Sequence, residues 1–252
     1  CRGRGRHRAG DHRDVTRAVL LHAFASDRMS WAGTVPALGM KGIKAETLDL
    51  PGHGNALDQV GDGSLSALTD PVRDWVLGGE PTWLIGHSLG GGIAMKLALE
   101  HPDHVRGLVL LAPLGLGQSL DVGTLQAMTR IETVDEMQGF LNRLVANPDL
   151  IAPAIADYAL SQLKRSGARD ALAVISDQLR PAEEEIAEIV PRLAATDTPV
   201  TIMWGAEDHM VSPDRARAEK FGPLVEIEGA GHIAHIEAAK AVNRLLTERI
   251  LP

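Results

Sequence analysis

Thr82-Trp83-Leu84-Ile85-Gly86-His87-Ser88-Leu89-Gly90-Gly91-Gly92 decides the fold. A short apolar run of strand type ends at Ile85, and a helical period begins near Leu89, with Ile93 and Leu97 one turn apart. Between them, Gly86-x-Ser88-x-Gly90 has the spacing of a nucleophile elbow. The spacing has a steric cause. A serine at the tip of a sharp strand-to-helix turn takes a strained backbone conformation, so the residues two before and two after it crowd together. Glycine, lacking a Cβ, fits both places. The helix that follows aims its N-terminal amides at the site, where they can stabilise a developing oxyanion.

Rival glycine-rich turns fail on particular residues. The dinucleotide fingerprint needs glycine where Ser88 stands, and the phosphate-binding P-loop needs a lysine that does not follow Gly91. Composition narrows the classes further. With 252 residues, 44% of them hydrophobic and 23% charged, one large domain with an inserted subdomain is the natural count. The single Cys1 excludes an internal disulfide framework and suits a reducing, cytoplasmic setting. No apolar run approaches the roughly 18 residues of a membrane span, and no secretory segment precedes the first strand. A formal net charge of −8 speaks against a nucleic-acid partner and disfavours strongly anionic substrates.

The first stretch stands apart. Cys1 to Asp14 carry Arg2, Arg4, Arg6, Arg8 and Arg13 against Asp11 and Asp14, with no apolar periodicity and no initiating Met. Residues 1–14 are read as a disordered or aberrant tail, with a basic arm for an acidic partner as the alternative.

Outward from the elbow, strands and helices alternate. Ala18 to Leu21 is a short buried strand, Trp31 to Leu38 a helix, and Ala45 to Leu50 the next strand. Pro51-Gly52-His53-Gly54 turns the chain rigidly, and Ser64 to Leu77 is helical. Past the elbow helix, which ends near His101-Pro102, Gly107 to Leu111 is again continuously apolar. Strands apolar on both faces, alternating with helices, imply a parallel sheet covered on both sides. Such folds bind ligands beyond the carboxyl ends of the strands.

Gly115 to Asp197 breaks the alternation. Thr133-x-x-Glu136 is a capping box, followed by Val134, Met137, Phe140, Leu141, Leu144 and Val145 at helical spacing until Asn147-Pro148. Further helices are expected over Ile151–Lys164, Asp170–Leu179 and Glu183–Leu193, divided by Gly167 and Pro181. An all-helical insertion of this length between two sheet strands reads as a lid over residues 115–197, with the core over 15–114 and 198–252. Met128, Met137, Phe140 and Tyr158 serve either the lid's own core or a substrate pocket. Alternation returns with a strand over Val200–Trp204, a helix start at Ser212-Pro213, a strand over Leu224–Ile227 and a closing helix from Glu237 to Ile250.

Three chemical groups then stand at strand ends in the order Ser88, Asp208, His232, within G-H-S-L-G-G, W-G-A-E-D-H-M-V and G-A-G-H-I-A-H-I-E. From Val19 to Leu251 the chain resembles the α/β-hydrolase superfamily, whose triads follow this order. The resemblance implies an α/β-hydrolase fold, a mostly parallel sheet flanked by helices with an inserted helical lid. It also implies an oxyanion loop at His22-Ala23-Phe24, where Phe24 gives its amide and the usual glycine is Ala23. His22 is read as a structural histidine, and His53, within the family's D-x-P-G-H-G string, as architectural.

The expected chemistry follows from residue type. Serine is a poor nucleophile at neutral pH, so His232 takes its proton during attack. Asp208 sets the tautomer of His232 and stabilises its cation. Glu207 is the neighbouring candidate acid. The amides of Phe24 and Leu89 hold the oxyanion, each worth roughly 2.7–4 kcal/mol by analogy with other such holes. A metal held by His232, His235 and Glu237 is the alternative, although H-x-x-H-x-E is not a zincin spacing. The leading expectation is a cofactor-free serine hydrolase or acyltransferase for a small ester or thioester. The rivals are a carbon–carbon bond hydrolase or perhydrolase with the same triad, and a ligand-binding or complex subunit.

Leu111-Ala112-Pro113-Leu114-Gly115-Leu116-Gly117, Leu144 to Pro148, and Tyr158 to Leu179 also resemble the hydrolase-fold domain of the dihydrolipoyl acetyltransferase subunit of acetoin dehydrogenase complexes. That resemblance makes association with a dehydrogenase complex an open reading. No Asp-Lys pair of a lipoyl turn exists in the sequence, nor an H-x-x-x-D-G motif; His7 and Asp11 have its spacing, but His12 replaces the glycine. The chain is therefore read as a detached hydrolase domain or a stand-alone relative, without lipoyl chemistry of its own. Oligomeric state is not legible.

Overall fold

The computed structural model describes residues 15–118, 120–219 and 221–251. The reading of residues 1–14 as a tail lies outside these. The chain runs β1 (Arg17–Leu21), α1 (Thr34–Gly39), β2 (Lys44–Thr47), α2 (Leu65–Leu77), β3 (Thr82–His87), α3 (Leu89–Glu100) and β4 (Val105–Leu111). Four helices follow without an intervening strand: α4 (Val122–Met128), α5 (Val134–Leu141), α6 (Pro153–Leu163) and α7 (Ala168–Ala194). The sheet then resumes with β5 (Val200–Gly205), α8 (Asp214–Glu219), β6 (Leu224–Ile227), α9 (Ala234–Glu237) and α10 (Ala239–Ile250).

Among the described residues the sheet has six strands in the order β2-β1-β3-β4-β5-β6, every pair parallel. The continuous apolar runs explain its two cores. Val19 and Leu21, Leu84, Leu108 and Leu110, and Ile202 and Trp204 face one side, with α2, α3 and α7. Their alternate neighbours Ala18, Leu20, Ile85, Val109, Leu111 and Met203 face the other, with Trp31, Leu38, Val242 and Leu246. Both faces must be covered, because a strand apolar at every position has no face to give to water. No helix among the described residues is long and apolar enough to cross a membrane.

Several boundaries differ from the sequence expectation, each for a physical reason. Trp31 closes a separate 3-10 turn over Arg28–Trp31, and α1 begins only at Thr34. β2 ends at Thr47 because Leu48 to Leu50 leave the sheet, the Leu50 amide donating instead to His22 Nε2 at 2.9 Å. α5 forms its capping box at Thr133 and Glu136 as expected but stops at Leu141. The chain beyond it is drawn away, the Leu144 carbonyl accepting the His232 amide at 2.7 Å.

The expected break at Pro181 does not occur. α7 runs through it, because Leu172, Ile175, Leu179, Ala182, Ile186, Ile189, Val190 and Leu193 form one uninterrupted buried stripe. A proline inside a helix costs about 3 kcal/mol, and each fully buried Leu, Ile or Val returns about 1.5–3 kcal/mol. The closing helix, conversely, is divided at Ala238, which leaves helical geometry at φ −111°, ψ 38°.

Candidate active site

Four strand ends converge on one edge of the sheet: Phe24 follows β1, Ser88 β3, Asp208 β5 and His232 β6. Ser88 sits at φ 49°, ψ −114°, a region that costs a non-glycine residue about 1–3 kcal/mol. The turn is held from outside. The Ser88 amide donates to the Leu111 carbonyl at 3.0 Å, and the Ser88 carbonyl accepts from the amides of Gly91 and Leu114 at 2.9 Å. The two flanking glycines are required. A Cβ on Gly86 would collide with the Gly90 carbonyl, and one on Gly90 with the carbonyls of Leu21 and His22. Leu89 opens α3, so its N–H belongs to the first turn, which has no intrahelical acceptor.

On the opposite wall, His232 Nδ1 lies 2.8 Å from Asp208 Oδ2. The same oxygen accepts from Trp204 Nε1 at 2.9 Å, while Oδ1 accepts the amides of Met210 and Val211 at 3.0 Å. Burial pushes the Asp208 carboxyl up, but the hydrogen bond and charge of His232 and those amides outweigh it and leave its pKa lowered. A carboxylate so engaged makes Nδ1 the donor and frees Nε2. Glu207 has a different task, its Oε2 accepting the Ala230 amide at 3.0 Å.

The loop after β1 is braced by two histidines whose tautomers follow from their partners. His22 Nδ1 donates to the Ala23 carbonyl at 2.8 Å, and its Nε2 accepts from Leu50. His53 Nδ1 donates to the Pro51 carbonyl at 3.0 Å, and its Nε2 accepts the Ala25 amide at 3.0 Å. Both rings are buried, which lowers their pKa values to about 4 for His22 and about 3 for His53. They are structural, as expected of them. Ala23 is accommodated in this loop because its φ is not positive; the strained residue is Ala25, at φ 55°.

A cavity of about 470 Å³ lies over this edge, lined by Phe24, Ser88, Leu89 and His232 together with residues of the helical insertion. Met128, Met137, Phe140 and Tyr158 all line it. The first three are buried and also pack in the main core. Tyr158 is half exposed and points its hydroxyl to Asp27 Oδ2 at 2.7 Å.

The bracing roles of two other residues at the site were not read from the sequence. His87 Nε2 donates to the His232 carbonyl at 3.0 Å, across 145 residues. Glu237 ties the insertion to the His232 loop: Oε1 accepts the amides of Ala146 at 2.9 Å and Asn147 at 3.2 Å, and Oε2 that of Gly231 at 2.5 Å. His232, His235 and Glu237 therefore do not converge on one point. Among the described residues no group of three His, Cys, Asp or Glu side chains is placed to hold a metal.

Relatives share this architecture. The chain is 26% identical to the dihydrolipoyllysine-residue acetyltransferase component of the acetoin cleaving system of Cupriavidus necator, over 92% of this chain and 63% of that one. A Pseudomonas putida counterpart is 27% identical over 91% of this chain and 62% of its own length. The chain thus spans less than two thirds of these relatives. It is 30% identical to a pimeloyl-[acyl-carrier protein] methyl ester esterase of Neisseria meningitidis, over 94% of this chain and 78% of that one. Among solved structures, a 2-hydroxy-6-oxo-6-phenylhexa-2,4-dienoate hydrolase from Rhodococcus sp. superposes with a TM-score of 0.82 at 18% identity, covering 94% of this chain and 91% of that one. A model of the alpha/beta hydrolase family matches residues 18–245, and the chain belongs to that family.

Proposed function

We propose that the protein is a serine hydrolase or acyltransferase that cleaves a small ester or thioester through an acyl-enzyme on Ser88. The observation that carries this reading is a strained Ser88 lining the same cavity as His232, whose Nδ1 is engaged by Asp208 at 2.8 Å. Ser88 Oγ attacks the substrate carbonyl while His232 Nε2 takes its proton, and the new oxyanion is held by the amides of Phe24 and Leu89. Collapse expels the alcohol or thiol, which receives that proton from His232. Water, or an acceptor thiol or alcohol in the transferase case, then attacks the acyl carbonyl by the same route. Asp208 holds the imidazole and balances its transient charge without becoming protonated. The insertion between β4 and β5, expected over residues 115–197, acts as the lid that shapes the pocket.

The named activities of the acetoin-system components and of the methyl ester esterase support acyl chemistry. A second reading, hydrolysis of a carbon–carbon bond, is supported by the relative named 2-hydroxy-6-oxononadienedioate/2-hydroxy-6-oxononatrienedioate hydrolase, 28% identical over 91% of this chain and 85% of its own. Association with a dehydrogenase complex is the corresponding proposal for partners. The experiment is a fluorophosphonate probe together with a panel of esters, thioesters and β-diketones, run on the protein and on Ser88→Ala. Labelling at Ser88 with ester or thioester turnover supports the first reading, and diketone cleavage the second. Absence of both labelling and turnover leaves a ligand-binding or complex subunit.

A further inference from the structure

Asp27 is buried in the wall of a largely apolar cavity. Its Oδ1 accepts the Met29 amide at 2.7 Å, capping the turn that follows the loop after β1, and its Oδ2 accepts the Tyr158 hydroxyl at 2.7 Å. Both donors are neutral, so neither cancels the carboxylate's charge. No lysine or arginine lines the cavity among the described residues. The nearby Asp49 adds charge of the same sign, its own oxygens turned to the amides of Arg28 and Asn55. Of the four histidines that line the cavity, His53, His87 and His235 are held below their ordinary pKa by burial and bring no positive charge at neutral pH, and His232 is already engaged by Asp208.

Tyr158 reports the resulting field. Burial, the hydrogen bond to Asp27 and the charges of Asp27 and Asp49 push its phenol up to about 12, while Arg165 opposes them only weakly. Arg165 itself is turned to Gln162 and Asn55. The phenol therefore stays protonated and spends its proton on Asp27.

We propose that the Asp27–Tyr158 pair is a charge filter, built between the loop after β1 and helix α6, that makes the cavity select ligands with an uncharged acyl chain and reject those ending in a carboxylate. This rests on the acyl reading above but deepens it to a substrate class: neutral monoacyl esters or thioesters rather than half-esters of dicarboxylic acids. An incoming carboxylate would lose its water to a site that offers no lysine or arginine among the described residues and one fixed anion, and burial of an unpaired charge is strongly unfavourable.

The test is binding to the Ser88→Ala protein, which needs no chemistry and so is independent of whether the chain hydrolyses anything. Methyl hexanoate and monomethyl adipate have nearly the same length and differ at the far end in charge. Calorimetry at about pH 8, where the adipate half-ester is fully ionised, should show the neutral ester binding at least about tenfold tighter, which is about 1.4 kcal/mol. Asp27→Asn keeps a capping oxygen for the Met29 amide and presents its NH2 to Tyr158, whose hydroxyl can turn to accept it, while removing the charge, and should narrow the gap to under about threefold. Asp74→Asn, an exposed change away from the cavity, should leave the gap as it is. Equal binding of the two esters, binding of neither, or a gap that Asp27→Asn does not narrow would each overturn the proposal. Ester turnover by the unmodified enzyme tests the acyl reading separately.

Discussion

Acidification to about pH 5 should cost this fold most of its stability, because it keeps four buried histidines neutral. His22, His53, His87 and His235 are each no more than 3% exposed. Burial, the largest cause in every case, lowers the pKa to about 4 for His22 and about 3 for His53 and His235, and lowers that of His87 well below 6.5. Neighbouring rings add to the effect, His22 on His53 and His232 on His235. Each folded-state pKa is depressed, so the unfolded chain takes up protons first. The stability is complete above about pH 6.5 and is lost as the pH falls towards 4–3. At pH 5, about 1.5 units below the unfolded value, each histidine favours the unfolded state by about 2 kcal/mol. The three with defined values together remove about 6 kcal/mol, and His87 acts in the same direction. A typical domain has only about 5–15 kcal/mol in all. Asp208, whose pKa lies below its usual 3.8, loses its contribution only in a lower window and does not confuse the measurement. Urea unfolding followed by tryptophan fluorescence between about pH 7.5 and pH 5 reads the loss directly. A change below about 1 kcal/mol, or ring signals of these four histidines titrating near pH 6.5 in the folded protein, would refute the reasoning.

Other perturbations separate chemistry from packing. Ser88→Ala should lower turnover by about four to six orders of magnitude with the fold intact, and adding His232→Ala should cost little more, since the groups act as a unit; single-turnover kinetics on the two variants checks both. Asp208→Asn should lose about 10⁴ in kcat, because the amide's NH2 can turn towards Nδ1 and select the wrong tautomer; retention of wild-type kcat would argue against the assignment. Gly90→Ala places a Cβ against the carbonyls of Leu21 and His22 and should destabilise by more than about 2 kcal/mol in a denaturant titration. Met137→Trp fills part of the cavity and should shift relative kcat/KM among acetyl, butyryl and octanoyl esters by about 1–3 kcal/mol, whereas an unchanged ranking would move selection to the loop from Phe24 to Trp31.

Short-range determinants were legible in the sequence. The glycine spacing around Ser88 reports a turn whose sterics involve only residues two before and two after, and the Thr133–Glu136 box closes on itself within four residues. Uninterrupted apolar strands required a sheet covered on both faces. Parallel strands with covering helices bring the segments after β1, β3, β5 and β6 to one edge, so Phe24, Ser88, Asp208 and His232 could be named together.

Tertiary packing decided the rest. At Pro181 one long buried stripe overrides the local rule that proline ends a helix, and Leu144 leaves its helical period, its carbonyl accepting the His232 amide. His87 reaches a carbonyl 145 residues away, Glu237 holds amides 90 and 91 residues before it, and Tyr158 meets Asp27 across 131 residues. Each of these polar groups is satisfied by a partner that proximity along the chain cannot supply. Local sequence thus determined where a nucleophile, an acid and a base could stand. The three-dimensional closure of the insertion over the sheet edge decided which residues brace them and what charge the pocket presents, because only in the folded chain do backbone amides, buried rings and the Asp27 carboxylate come within hydrogen-bond distance.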